Sequence, residues 1–100
     1  GWATATEAFA AYQSGARYLK CFPAATYGPE HIKGLRAVLP KNCQLLAVGG
    51  VGAEVAGQWL QAGGGGFGIG SELYKPGDSP EQVYQSARAV VDAINLARGK

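Results

Sequence analysis

Histidine, cysteine, methionine and charge are all scarce in this sequence, and each shortage closes off a class of chemistry. Histidine occurs once, at His31, and cysteine twice, at Cys21 and Cys43. A structural zinc site needs four ligands and a disulfide framework needs more than one pair, so neither is expected and both thiols read as reduced. A Ser-His-Asp triad would have to be built on His31 alone, and no Gly-x-Ser-x-Gly elbow surrounds any serine. Charged residues make up 16% of the chain, with a net charge of +2, and the Lys and Arg are scattered rather than clustered. That leaves no electrostatic footprint for nucleic acid, although small anionic ligands remain open. Long hydrophobic runs are missing too: nothing approaches the roughly 18 residues of a membrane span. Gly1 to Thr4 has neither the basic start nor the apolar segment of a secretory signal. The expectation is a soluble, cytoplasmic protein without membrane partners. Methionine is absent altogether; an initiator Met is often trimmed before Gly, and a partial chain is to be considered.

What is present is apolar and rich in glycine. A 47% hydrophobic content over 100 residues, with 16 glycines, describes one domain over 1–100 in which helical periods alternate with short apolar runs. Thr4-Ala-Thr-Glu7 reads as a capping box opening a helix to about Ser14, with Gly15 as its stop. Arg17 to Phe22 is a β-prone run ended by Pro23, which has no N–H for a ladder. Gly28-Pro29 opens a second helix carrying Ile32, Leu35, Val38 and Leu39, and Pro40 closes it. Gln44 to Val48 is a second strand, an apolar run of the sort buried on both faces in a parallel sheet, and Gly49-Gly-Val-Gly52 turns it into a third helix with Val55, Trp59 and Leu60. Phe67 to Ile69 is a third strand, short and glycine-rich. Ser79-Pro80-Glu-Gln82 caps a last helix whose Val83, Ala87, Val90, Val91, Ile94 and Ala97 make one apolar stripe ending near Arg98-Gly99. The predicted order is α-β-α-β-α-β-α, an α/β fold with parallel strands. Three such strands leave edges and faces uncovered, whereas a closed (β/α)₈ barrel takes about 200 residues or more. The pattern predicts a partial (β/α)₈ barrel of about three strands and four helices.

Lys20 is the residue most out of place, since it lies inside an apolar strand on the side of Tyr18 and Phe22, opposite Leu19 and Cys21. Facing a barrel interior, it would be desolvated and would offer the free amine that attacks a carbonyl to form a Schiff base. As an edge-strand lysine it would instead block aggregation. Gly49-Gly50 and Gly70-Ser71 follow successive strands, where barrels often hold phosphate on loop N–H groups, or where glycines simply make tight turns. A dinucleotide fingerprint, Gly50-x-Gly52 with Glu72 about 20 residues on, fails at its third glycine, which is Val55. Glu7, Glu30, Glu54 and Glu81 read as helix-start residues, while Glu72 follows a strand and approaches any pocket there.

Three segments together resemble a known family. Tyr18-Leu-Lys20-Cys-Phe22-Pro23-Ala24, Ala47-Val48-Gly49-Gly50-Val51 and Gly68-Ile-Gly70-Ser71-Glu-Leu-Tyr74 are similar to the C-terminal part of the 2-keto-3-deoxy-6-phosphogluconate/galactonate aldolases. The resemblance covers nearly the whole chain. It implies that Lys20 is the Schiff-base lysine on the sixth barrel strand, that Phe22 and Pro23 shape the pocket, and that Gly49, Gly50, Gly70 and Ser71 hold the phosphate. Val48 implies a galactonate-type enzyme, because gluconate-type members usually place Thr before the paired glycines. The implied substrate is a phosphorylated keto-deoxy sugar acid cleaved to pyruvate and glyceraldehyde 3-phosphate, with no metal or other cofactor. A homo-oligomer, a trimer in the family, is implied as well. The family's carboxylate base and the basic residue near the pyruvate carboxylate fall outside the matched part. A non-catalytic phosphate-binding half-barrel, a gluconate-type aldolase and another phosphate-binding barrel enzyme are the alternatives.

Overall fold

Strict alternation along two apolar strands sets the sheet. The computed structural model describes residues 1–99, and its strands β1 (Tyr18–Cys21), β2 (Gln44–Val48) and β3 (Gly66–Gly68) pair in parallel in the order β1-β2-β3. Leu19, Cys21, Leu45 and Ala47 point to one face and are at most 2% exposed. Tyr18 and Lys20 point to the other and stay open to solvent. Register places Lys20 beside Leu46 and Leu46 beside Gly66, with Val48 beside Gly68 in the next layer.

Four of the five helices bury residues in the core on the first face. The five are α1 (Ala5–Gln13), α2 (Ala24–Tyr27), α3 (Pro29–Val38), α4 (Ala56–Gln61), preceded by a 3₁₀ turn at Ala53–Val55, and α5 (Pro80–Ala97). Ile32, Leu35 and Leu39 from α3 and its end, Trp59 from α4 and Ala8 from α1 meet the buried strand residues in a single core. Both expected capping boxes form, Thr4 with Glu7 on α1 and Ser79 with Gln82 on α5. Each satisfies two helix-start N–H groups that would otherwise lack partners. No described helix is long and apolar enough to cross a membrane.

Four expectations need correction. There are five α-helices, not four, because the residues after Pro23 coil into α2, where Thr26 N–H bonds to Pro23 C=O and Gly28 N–H to Ala24 C=O. Strand β1 is shorter than Arg17 to Phe22, since β2 pairs only with Tyr18–Cys21. Strand β3 sits one residue earlier than Phe67 to Ile69, because β2 offers partners only up to Val48 before Gly49 turns away. On α5 the apolar stripe is only half covered. Val90 is buried, but Val91, 48% exposed, turns to solvent along with Ala97. Helix α5 packs chiefly on α4 and the 3₁₀ turn, and adjacent helical positions lie about 100° apart.

The chain start belongs to the sheet. Trp2 N–H donates to Lys20 C=O at 2.8 Å and Phe22 N–H to Trp2 C=O at 3.3 Å, a parallel bridge on the outer edge of β1. The Trp2 ring is buried against His31, which also stacks on Tyr27 with ring centres 4.9 Å apart and bonds through Nε2 to Ala3 C=O. His31 is thus a packing residue tying the first residues to α2 and α3.

Candidate active site

Lys20 is the only charged residue that the three strands place on their open face. Its Nζ stands 5.3 Å from the centre of the Phe22 ring, which follows the strand end. A cation over an aromatic face is weakly attracted, so the ring biases the flexible amine towards that end of the sheet. Lys20 is exposed in this chain, so the desolvation expected of a barrel interior is not supplied by residues 1–99. Below and beside it lie Leu46 and the bare backbone of β3. A Cβ on Gly68 would stand 2.8 Å from Val48 Cγ2 and one on Gly66 3.1 Å from Leu46 Cδ2. The β2 side chains therefore lean into the space that β3 leaves empty, forming a smooth apolar wall next to the amine.

The glycine loops gather above that wall. Gly49 and Gly50 have φ of +99° and +72°, backbone that side chains with a Cβ rarely adopt. A Cβ on Gly49 would lie 3.2 Å from Phe22 Cε2 and from Pro23 Cα, and one on Gly50 would lie 2.6 Å from Ala25 Cβ. Ala25 N–H donates to Gly49 C=O at 3.0 Å. The turn after β2 is thus seated directly on the turn after β1, which carries Phe22 and Pro23. The loop after β3 joins them from the far side. Glu72 Cγ lies 3.2 Å from where a Gly52 Cβ would be, and Gly70 C=O accepts from Leu73 and Tyr74 N–H. Ser71 is exposed at the crest of that turn.

The sequence-predicted residues thus fall at one end of one face. Lys20, Phe22, Pro23, Val48, Gly49 and Gly50 are brought together, and Gly70 and Ser71 follow β3 at the same end. The Glu72 side chain packs on Gly52 beside Glu54, whose Oε2 is 3.5 Å from the same point, and makes no ion pair with Lys20. Burial raises the proton affinity of the Cys21 thiol, and with its side chain on the covered face it is an inert core group. Sequence reasoning missed Ala25 and Gly68. The signal for the first was the small pair Ala24-Ala25 after Pro23, and for the second a glycine at every other position of β3. Two clefts lie elsewhere and hold none of these residues. One of about 380 Å³ runs between α3 and α4, lined by Glu30, Lys33, Gln58 and Gln61. The other, about 340 Å³, opens at the opposite strand ends among Arg36, Lys41, Gln44 and Gly63 to Gly65. There Arg36 is occupied, capping the carbonyls of Leu39, Pro40 and Cys43.

Known proteins are similar to this chain in sequence and fold. The 2-dehydro-3-deoxy-6-phosphogalactonate aldolase of Escherichia coli (strain K12) is 52% identical over 97 residues, which are 97% of this chain and 47% of that protein. A probable 2-dehydro-3-deoxy-6-phosphogalactonate aldolase of Rhizobium meliloti (strain 1021) is 45% identical over 96 residues, 96% of this chain and 45% of that protein. The chain therefore spans about half the length of the curated relatives it matches. A solved native KDPGal structure superposes with a TM-score of 0.96 at 49% identity, over 100% of this chain and 48% of that one. A cube-shaped cage designed by fusing symmetric oligomeric domains superposes at 0.95 and 49% identity, over 99% and 37%. Thiamine phosphate pyrophosphorylase from Pyrococcus furiosus, at 0.78 and 22% identity over 96% and 47%, shares the fold alone. No family model matches the chain. The three parallel strands and their helices are a partial (β/α)₈ barrel, and over nearly its whole length the chain is similar to about half of the 2-dehydro-3-deoxy-6-phosphogalactonate aldolases.

Proposed function

We propose that this chain carries the Schiff-base and phosphate-binding portion of a class I aldolase that cleaves 2-dehydro-3-deoxy-6-phosphogalactonate to pyruvate and glyceraldehyde 3-phosphate. The observation that carries the reading is the placement of Lys20, the lone charged residue on the open sheet face, beneath two glycine turns at the same strand ends. In this reading the Lys20 amine attacks the C2 carbonyl and water leaves, giving a protonated imine. The C3–C4 bond then breaks. Its electron pair flows towards the imine nitrogen as an enamine, the C4 hydroxyl gives up its proton, and the aldehyde departs. Protonation at C3 and hydrolysis return the amine and release pyruvate. Phe22 and Pro23 shape the space around the reacting carbons. Gly49, Gly50, Gly70 and Ser71 hold the phosphate, fixing the far end of the substrate so that binding energy orients the reacting bond. Val48 presents methyl groups, not a hydroxyl, to the sugar chain, and so withholds a hydrogen bond from one hydroxyl configuration. The resemblance leaves the carboxylate base and the pyruvate-carboxylate partner to the half of the family fold that this chain does not span. The reading also makes 1–100 the C-terminal part of one barrel domain in a cytoplasmic homo-oligomer. The exposed apolar side chains Tyr84, Val91 and Leu96, and the symmetric oligomeric domains of the related cage, support association.

A second reading, favoured by the openness of the Lys20 face, is a phosphate-binding half-barrel that does no chemistry. Intact-mass analysis before and after pyruvate plus borohydride separates the two. A reduced adduct mapping to Lys20 is expected of the aldolase; phosphate binding without an adduct would leave the module.

A further inference from the structure

The two ends of the site are joined through one backbone hydrogen bond. Ala25 N–H holds Gly49 C=O at 3.0 Å, and in a trans peptide the carbonyl and the following N–H point in opposite directions. Anchoring the Gly49 oxygen on α2 therefore aims Gly50 N–H away from α2. That N–H, like Ser71 N–H, has no protein acceptor among the described residues. The seat is tight enough to fix the aim, since a Cβ on Gly50 would stand 2.6 Å from Ala25 Cβ. The segment that supplies the anchor is the same one that carries Lys20 and Phe22, five and three residues earlier.

We infer that Ala25 is a positioning residue for the phosphate end of the substrate: its N–H and small side chain orient the Gly49–Gly50 peptide, and so set the span between the Lys20 amine and the bound phosphate. The inference rests on the proposed aldolase reading. One rigid turn acts as the ruler, and it acts only on ligands that carry the phosphate.

The test uses the protein in the full length its gene encodes, run in the synthesis direction with pyruvate and either glyceraldehyde 3-phosphate or unphosphorylated glyceraldehyde. Ala25→Pro removes the N–H. It is expected to raise KM for the phosphorylated aldehyde about tenfold, the worth of one hydrogen bond. KM for glyceraldehyde and the yield of borohydride-trapped pyruvate adduct stay within about twofold of the parent. Ala25→Ser, which keeps the N–H and a small side chain, retains parental KM for both aldehydes. Should the proline variant fail to fold, Ala25→Val keeps the N–H but crowds Gly50, and is expected to shift the same KM in the same direction. Equal changes for the two aldehydes, or no change for either, overturn the inference while leaving the aldolase reading intact. A parent protein that forms no pyruvate adduct overturns that reading and the inference with it.

Discussion

On β1, Leu19 and Cys21 are 2% and 0% exposed while their neighbour Tyr18 is 74% exposed, and the same contrast runs across the sheet. One face, covered by helices, holds Leu19, Cys21, Leu45 and Ala47 in a core with Ile32, Leu35 and Trp59. The other, carrying Tyr18, Lys20, Leu46 and Val48, has no layer packed on it from within residues 1–99. The two faces alternate residue by residue along the same strands, so stability and the proposed chemistry are separated by a single step in the chain. A change at an even position of β1 is expected to touch function with little cost to folding. A change at an odd position does the reverse.

Four measurements sharpen or break that contrast. The largest effect belongs to the open face: Lys20→Arg abolishes the borohydride-trapped pyruvate adduct, while the unfolding free energy measured in urea stays within about 0.5 kcal/mol of the parent. An adduct that persists on another residue would remove Lys20 from its role. Across the sheet, Leu45→Ala empties part of a fully buried site and should cost about 2–5 kcal/mol in urea unfolding. A loss below about 1 kcal/mol would mean that the covered face is not the source of stability. Ser79→Ala removes the acceptor for Gln82 N–H on α5, with an expected loss near 1 kcal/mol read as a lower thermal midpoint. No loss would show that α5 is held by its half-buried Val83, Ala87 and Ile94 alone.

The smallest effect is the pH dependence at the start of α1. The backbone N–H groups of Ala3 and Thr4, with the Thr4 hydroxyl, donate to the Glu7 carboxylate and hold its pKa below the usual 4.5. A lowered folded-state value favours the carboxylate in the native chain. Its contribution is present above the usual carboxylate range and is lost as pH falls through the lowered value. Melting temperatures of the parent and Glu7→Gln are therefore expected to converge on acidification and to separate towards neutrality. A gap independent of pH would show that the cap works through shape alone.

Much of this was legible in the order of residues. The period of two in Tyr18 to Phe22 assigned each side chain to a face before any packing was known, and Lys20 stood out because charge is costly in such a run. Both capping boxes were legible because their partners lie three residues apart, within reach of local geometry. Helix α2 was not, since four residues offer no period to read. The bounds of β3 were not either, because a strand ends where its neighbour's partners end, and that neighbour lies some twenty positions away. Val91 falls in one apolar stripe with Val90 because periodicity says which residues share a face, and not how far a partner extends across it. In the candidate site, the glycine turns were visible one by one. That Gly50 seats on Ala25, that Gly68 is emptied by Val48 and that Glu72 folds onto Gly52 were not.

Local pattern therefore settled which of the longer segments are helix or strand, which strand face carries the amine, and which turns lack side chains, since these depend on steric and hydrogen-bonding preferences acting over a few residues. Tertiary packing decided the rest: which turns touch, which carbonyl meets Ala25, and which face has no layer laid over it. Those contacts form between residues far apart in the chain, and only the folded backbone brings them within the few ångströms at which hydrogen bonds and side-chain volume act.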